Sequence, residues 1–201
     1  MDHPRNRHGI RDLKARIASL VFFAVSAALT VLFAATMSTR AQEPTAAGLW
    51  QKLDKDTNQP VTWFLFVERG GVYEGHIARL FPQQGEKLNP VCTHCTDDRK
   101  GAPMLGLAFV RGMKRAGREY EGGTVLDPRD GKIYSAVMTL DPAKQTLTLR
   151  GHVFGIRWTI GQDIWHRLPD SAYKELDPAI IQKYAPERAE SKKAKAKAPQ
   201  R

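Results

Sequence analysis

Residues 122–153 read GGTVLDPRDGKIYSAVMTLDPAKQTLTLRGHV, and this stretch decides how the chain folds. Three strand-like runs, 118–126, 132–140 and 145–153, are separated by DPRDG (127–131) and DPAK (141–144). Asp-Pro opens each connection. Pro128 holds φ at about −65° at the second turn position after Asp127, and Gly131 supplies the residue that tolerates a positive φ. Within the third run Leu147 and Leu149 point one way while Thr146, Thr148 and Arg150 point the other. Period-two alternation is the mark of a half-buried strand.

The same grammar continues on both sides. Upstream, VTWFLFVE (61–68) and VYEGHIARLF (72–81) flank Gly70-Gly71, a hairpin signal. A short run, LWQKL (49–53), sits between Gly48 and the turn residues 54–60. MLGLAFVRGM (104–113) reads as a strand or as a short buried helix, and its length does not separate the two. TIGQDIWHRL (159–168) closes the body. Seven or eight strands joined by tight turns predict an all-β, up-and-down antiparallel barrel, with an open sandwich as the alternative. Residues 42–169 have the length of one domain with its own core. Residues 170–188 follow with a helical spacing (Tyr173, Leu176, Ile180, Ile181, Tyr184) broken at Pro178, which predicts a peripheral helix or two half-helices. Residues 189–201, AESKKAKAKAPQR, have the composition of a disordered tail.

The N-terminus predicts export. Five basic residues between Arg5 and Arg16 precede an uncharged apolar run, 17–35, and Thr39-Arg40-Ala41 supplies small residues before a cut. This is the pattern of a signal peptide, residues 1–41, cleaved near Ala41; a retained anchor is the alternative, because the run approaches the roughly 20 residues of a spanning helix. Removing the segment lowers the net charge from +10 to +6, and much of the rest is tail. Basicity therefore does not point to nucleic acid. The tail is expected either to touch an anionic envelope surface or simply to keep the protein soluble.

In order along the chain, GLW (48–50), NPVCTHC (89–95), KGAPMLGL (100–107), GGTVLDPRDGKIYSA (122–136), LRGHVFG (149–155) and IWHRL (164–168) resemble the exported bacterial proteins of domain-of-unknown-function family 2147. The resemblance implies a lipocalin-like barrel and an exported protein, and it implies no activity. The expected location is periplasmic if the source has an outer membrane, and no cofactor is expected. Gly48-x-Trp50 is also similar to the first-strand signature of lipocalins. That similarity implies that Trp50 closes one barrel end and stacks on an Arg from the last strand, here Arg167; Trp165, two residues before it, is grouped with Gly48, Trp50 and Arg167 in the same closure. A guanidinium over an indole contributes about 0.5–2 kcal/mol.

Both cysteines, Cys92 and Cys95, lie in a long loop as C-x-x-C. Haem attachment would need His where Thr96 stands. A metal clip would have only Cys92, His94 and Cys95, too adjacent for a relaxed tetrahedron. A redox pair would need a helix start to lower the thiol pKa, whereas TDDRKGAP has no helical period and its Asp97 and Asp98 act the other way. The sequence favours a structural disulfide pinning the loop, as an exported compartment permits.

No Gly-x-Ser-x-Gly, His-Glu-x-x-His or phosphate-loop motif is present. His76, His152 and His166 fall on strands, where they either converge on a metal or serve singly; no metal site is expected. Trp63, Phe64, Phe66, Tyr73, Phe81 and Phe109 either line an apolar cavity or fill the barrel. The expectation is a non-enzymatic module binding a small apolar or amphipathic ligand or an envelope component. Trp63 and Tyr73 would stack on the ligand while His76 or Arg150 orients its head. A thiol-disulfide oxidoreductase and a structural envelope protein with a filled barrel are the alternatives.

Overall fold

The computed structural model describes residues 43–83, 85–153 and 156–189, without the side chains of 153 and 156–160. The expected leader (1–41) and all but the first residue of the expected tail lie outside the described residues. Eight strands form the body: β1 (Gly48–Leu53), β2 (Pro60–Arg69), β3 (Val72–Leu80), β4 (Ala108–Ala116), β5 (Glu119–Leu126), β6 (Ile133–Asp141), β7 (Thr146–Val153) and β8 (Ile156–Arg167). Each pairs antiparallel with its sequence neighbour, and β8 returns to β1 through Trp50↔Arg167 and Gln51↔His166. Closure leaves no sheet edge open, so the barrel, not the sandwich, is formed. The ambiguous 104–113 run resolves as β4 from Ala108 onward. Its first residues belong to the β3–β4 loop, where Gly106 takes φ +83°.

Alternation sorts the strands into two faces. Inward rings of Phe64 (β2), Phe109 (β4) and Trp165 (β8) meet at centroid distances of 4.6, 4.7 and 5.8 Å. Because β4 and β8 stand on opposite walls, these rings cross the barrel axis. Beneath them lie Tyr73, Met113, Tyr120 and Met138, all buried. Phe66 lies flat over its cross-strand partner Gly75, where a Cβ would stand 2.6 Å from the ring. The aromatic supply is therefore largely the barrel's own filling at this level, held by close packing.

The outward face of β1–β3 is apolar as well. Leu49, Trp63, Leu65, Val67 and Ala78 are buried beneath the C-terminal segment. That segment is a 3-10 helix, Asp170–Glu175, followed by α1, Pro178–Tyr184. Pro178 does not break a helix but starts one. It occupies the first turn, where its missing N–H costs nothing, and the Asp177 carboxylate caps the Ala179 N–H at 2.8 Å. Leu176, Ile180 and Tyr184 cover the strands, each contributing about 1.5–3 kcal/mol of burial.

Candidate functional site

The end carrying the β2–β3, β4–β5 and β6–β7 turns, the lower end, is shut. Residues 44–47 lie across it: Ala46 N–H donates to the Tyr120 hydroxyl (2.8 Å) and Trp50 Nε1 donates to the Ala46 carbonyl (2.8 Å). Arg167 donates to the carbonyls of Ala47 (2.9 Å) and Thr45, and its guanidinium carbon lies 4.1 Å from the Trp50 ring centroid. Gly48, at φ +124°, leaves room for that guanidinium; a Cβ there would be 2.8 Å from Arg167 Nη1. Trp165, grouped with these residues by sequence, belongs instead to the aromatic layer.

The upper end carries the cysteine loop. Cys92 and Cys95 form a disulfide with a Cα–Cα distance of 5.4 Å, and both residues are only 1% exposed. The loop doubles back on itself: Cys92 N–H donates to Ala102, Gly101 N–H to Cys92 and Met104 N–H to Pro90. Arg99, buried, binds the Ala108 carbonyl (2.8 Å) and the Asp97 carboxylate, and this bond to Arg99 holds the Asp97 pKa down to about 2. Asp98 pairs with Arg111 at 2.8 Å. The two acids read from sequence as raising a thiol pKa thus anchor the loop instead. Burial of both cysteines keeps an attacking thiolate from the sulfurs, which disfavours the oxidoreductase reading.

The Asp127–Gly131 turn docks on this loop. Gly131, at φ +74°, sits against the His94 backbone so closely that a Cβ would stand 1.8 Å from the carbonyl oxygen. Asp127 accepts from Arg129, Tyr134 donates to Asp130 at 3.1 Å, and Gly131 N–H closes onto the Asp127 carbonyl at 2.8 Å. The cysteine motif and the Asp-Pro-x-x-Gly-Lys motif, far apart in sequence, therefore form one cap.

The rest of the mouth is lined differently. Lys52 shares the inward face of β1 with Trp50, and Asp163 shares that of β8 with Trp165. They pair at 2.7 Å above the aromatic layer, each side chain 35% exposed. Thr62 faces Lys52 across β1–β2. Gly151 and Gly161, paired on β7 and β8, carry no side chain into the lumen, and a Cβ on Gly161 would meet nothing within 4 Å among the described residues. At the rim, Arg129 has its pKa raised first by its bond to Asp127 and further by Asp163; Asp127 is lowered first by Arg129 and further by Lys52. Four charges of alternating sign thus lie within electrostatic reach of one another. In the layer below, the buried Trp165 Nε1 has no hydrogen-bond partner among the described residues.

The four residues expected to hold a ligand do not come together. Tyr73 faces inward at the shut end, edge-on to Tyr120 at 4.8 Å. Trp63 faces outward, beneath the C-terminal segment and Arg79. His76 also faces outward, stacked on Tyr184 at 3.9 Å; burial pushes its pKa down to about 4. Arg150 is on the outer surface with Gln162 and Thr139. One strand wall separates Tyr73 from the other three. His76, His152 and His166 lie on β3, β7 and β8, and no three candidate ligands cluster for a metal among the described residues.

A groove of about 200 Å³ lies outside the barrel, between β3, the loop residues Leu88, Pro90, Pro103 and Leu105, and Asp177. Its charged members are already engaged. Arg79 binds Glu175 at 2.7 Å and Asp177 caps α1, so the groove offers mainly apolar contact.

A closed eight-stranded up-and-down barrel with one shut end and one loop-bearing mouth is a lipocalin-like protein. It is similar in structure to protein HP1028 from Helicobacter pylori, described as belonging to the lipocalin family, with a TM-score of 0.54, 18% identity, and 69% of this chain and 97% of that one covered. The chain belongs to the family described as "Uncharacterized protein conserved in bacteria (DUF2147)", which it matches over residues 48–167. No curated protein matches it.

Proposed function

We propose that this is an exported, periplasmic binding protein that takes a small amphipathic molecule into the uncovered part of the barrel mouth. The observation that carries the reading is the inward set Lys52, Thr62, Asp163, Gly151 and Gly161, polar groups and two missing side chains on the register positions above the layer of rings. Small-ligand sites combine apolar walls with a few placed polar groups, and the mouths of β-barrels are one place they form. Apolar parts of the ligand would rest on Leu149 and the aromatic layer, burial contributing about 25 cal/mol per Å². The unpartnered Trp165 indole supports an occupant at this level, since buried donors are normally bonded.

The structural-envelope reading has one observation in its favour, the rings meeting on the axis. The two part on a single experiment: native mass spectrometry of protein purified from its own envelope, beside Gly161→Phe. The ring would grow into open space in a strand that accepts aromatics, so the fold is retained. A small-molecule adduct on the wild type, lost in the variant, supports binding. Adduct-free wild type supports the structural role.

A further inference from the structure

We propose that the ligand's head group is zwitterionic, an ammonium and an acid group on adjacent positions, held between Asp163 and Lys52; this rests on the binding reading above. The two side chains face the lumen 2.7 Å apart, and Thr62 stands beside Lys52 on the neighbouring strand. Asp127 and Arg129 repeat the same sign pattern at the rim, 2.6 Å apart. The recess is thus neutral in sum but divided in sign.

Such a recess discriminates by what each ligand leaves behind. A carboxylate alone takes Lys52 from Asp163 and strands a lumen-facing anion. An amine alone strands Lys52. A zwitterion exchanges one ion pair for two, so both groups keep a partner and no net charge enters the barrel. A neutral apolar molecule avoids the clash but leaves the pair unused, which gives no orientation. The two glycines fix where the ligand's body lies. Gly161 stands two residues before Asp163 on the same inward face of β8, with open space at its Cβ, and Gly151 opposite it has only ordinary contacts. A short apolar chain attached to the head fits beside these backbones and over Leu149.

The test uses three probes sharing one short carbon chain: norleucine (zwitterion), hexanoate (acid only) and pentylamine (amine only). Each is titrated into the oxidised protein, residues 42–201, and followed by backbone amide NMR. The expected result is norleucine binding at least about tenfold tighter than either other probe, with shifts centred on Lys52, Thr62, Gly151, Gly161 and Asp163. Asp163→Asn should erase the preference over hexanoate, and Lys52→Met the preference over pentylamine. The double variant Lys52→Met/Asp163→Leu, which replaces the pair by apolar groups and so keeps the fold, should erase both. Hexanoate or pentylamine binding as tightly as norleucine overturns the proposal. So does norleucine binding that the double variant leaves unchanged. If no probe shifts these amides while wild-type protein from the envelope carries an adduct that Gly161→Phe loses, the zwitterionic head is wrong and the mouth site stands. If that adduct is missing too, both fail.

Discussion

His76 offers a quantitative test of how the C-terminal segment is held. Its ring is 3% exposed, stacked under Tyr184, and neither ring nitrogen has a hydrogen-bond partner among the described residues. Burial lowers its pKa from 6.5 to about 4; the Gly106 backbone opposes this, while Arg69, Lys183 and Arg111 push the same way. Glu74 is the facing acid, but its oxygen is 3.8 Å from Nε2 and half-exposed. The folded pKa lies below the unfolded one, so the unfolded chain takes up the proton first. Stability is complete above about pH 6.5 and falls as pH drops towards 4. Between pH 7.5 and 4.5 the loss from this residue alone is about 2–3 kcal/mol. Urea unfolding of the wild type and of His76→Leu at the two pH values isolates it, since other titrating groups are common to both. The wild type should lose about 2–3 kcal/mol more than the variant. Limited proteolysis of the wild type at pH 4.5 should cut first in 170–189, the segment that Tyr184 anchors. Equal losses in the two proteins would show that burial of His76 does not set this pH dependence.

Gly131→Ala adds a Cβ against the His94 carbonyl at positive φ, so it should cost at least about 2 kcal/mol in urea unfolding and expose the cysteine loop to proteolysis. Arg167→Met removes the bonds to Thr45 and Ala47 and the stack on Trp50, and a loss of about 3 kcal/mol is expected in the same assay. The Cys92→Ala/Cys95→Ala double variant should lose no more than about 1–2 kcal/mol, because the ring it opens is small, and the wild-type protein should not catalyse insulin reduction. N-terminal sequencing of exported protein should begin at Gln42; a start at Met1 would show a retained leader.

The barrel was legible because its signals are local. Asp-Pro turns, Gly-Gly and alternation in Thr146–Arg150 state strand limits and faces within a few residues. What local signals do not carry is which side of the wall faces the core when both sides are apolar. In VTWFLFVE every residue from Trp63 to Val67 is buried, because the C-terminal segment covers the outer side. Trp63 therefore read as a lumen residue when it is a residue of the outer interface. Lys52 and Asp163 were readable in principle, since each stands two residues from an inward tryptophan and shares its face. A charged residue on a core-facing register was the missed signal. The docking of Gly131 on His94 joins segments nearly forty residues apart, and only the topology brings them together.

A ligand in the barrel mouth would be visible in a crystal structure of the protein purified from its own cells together with whatever it carries. Ligand density is expected between Lys52, Asp163 and Gly161, above the Trp165 ring. A lumen holding only water, or ligand seated in the outer groove between Leu88 and Leu105, would contradict it.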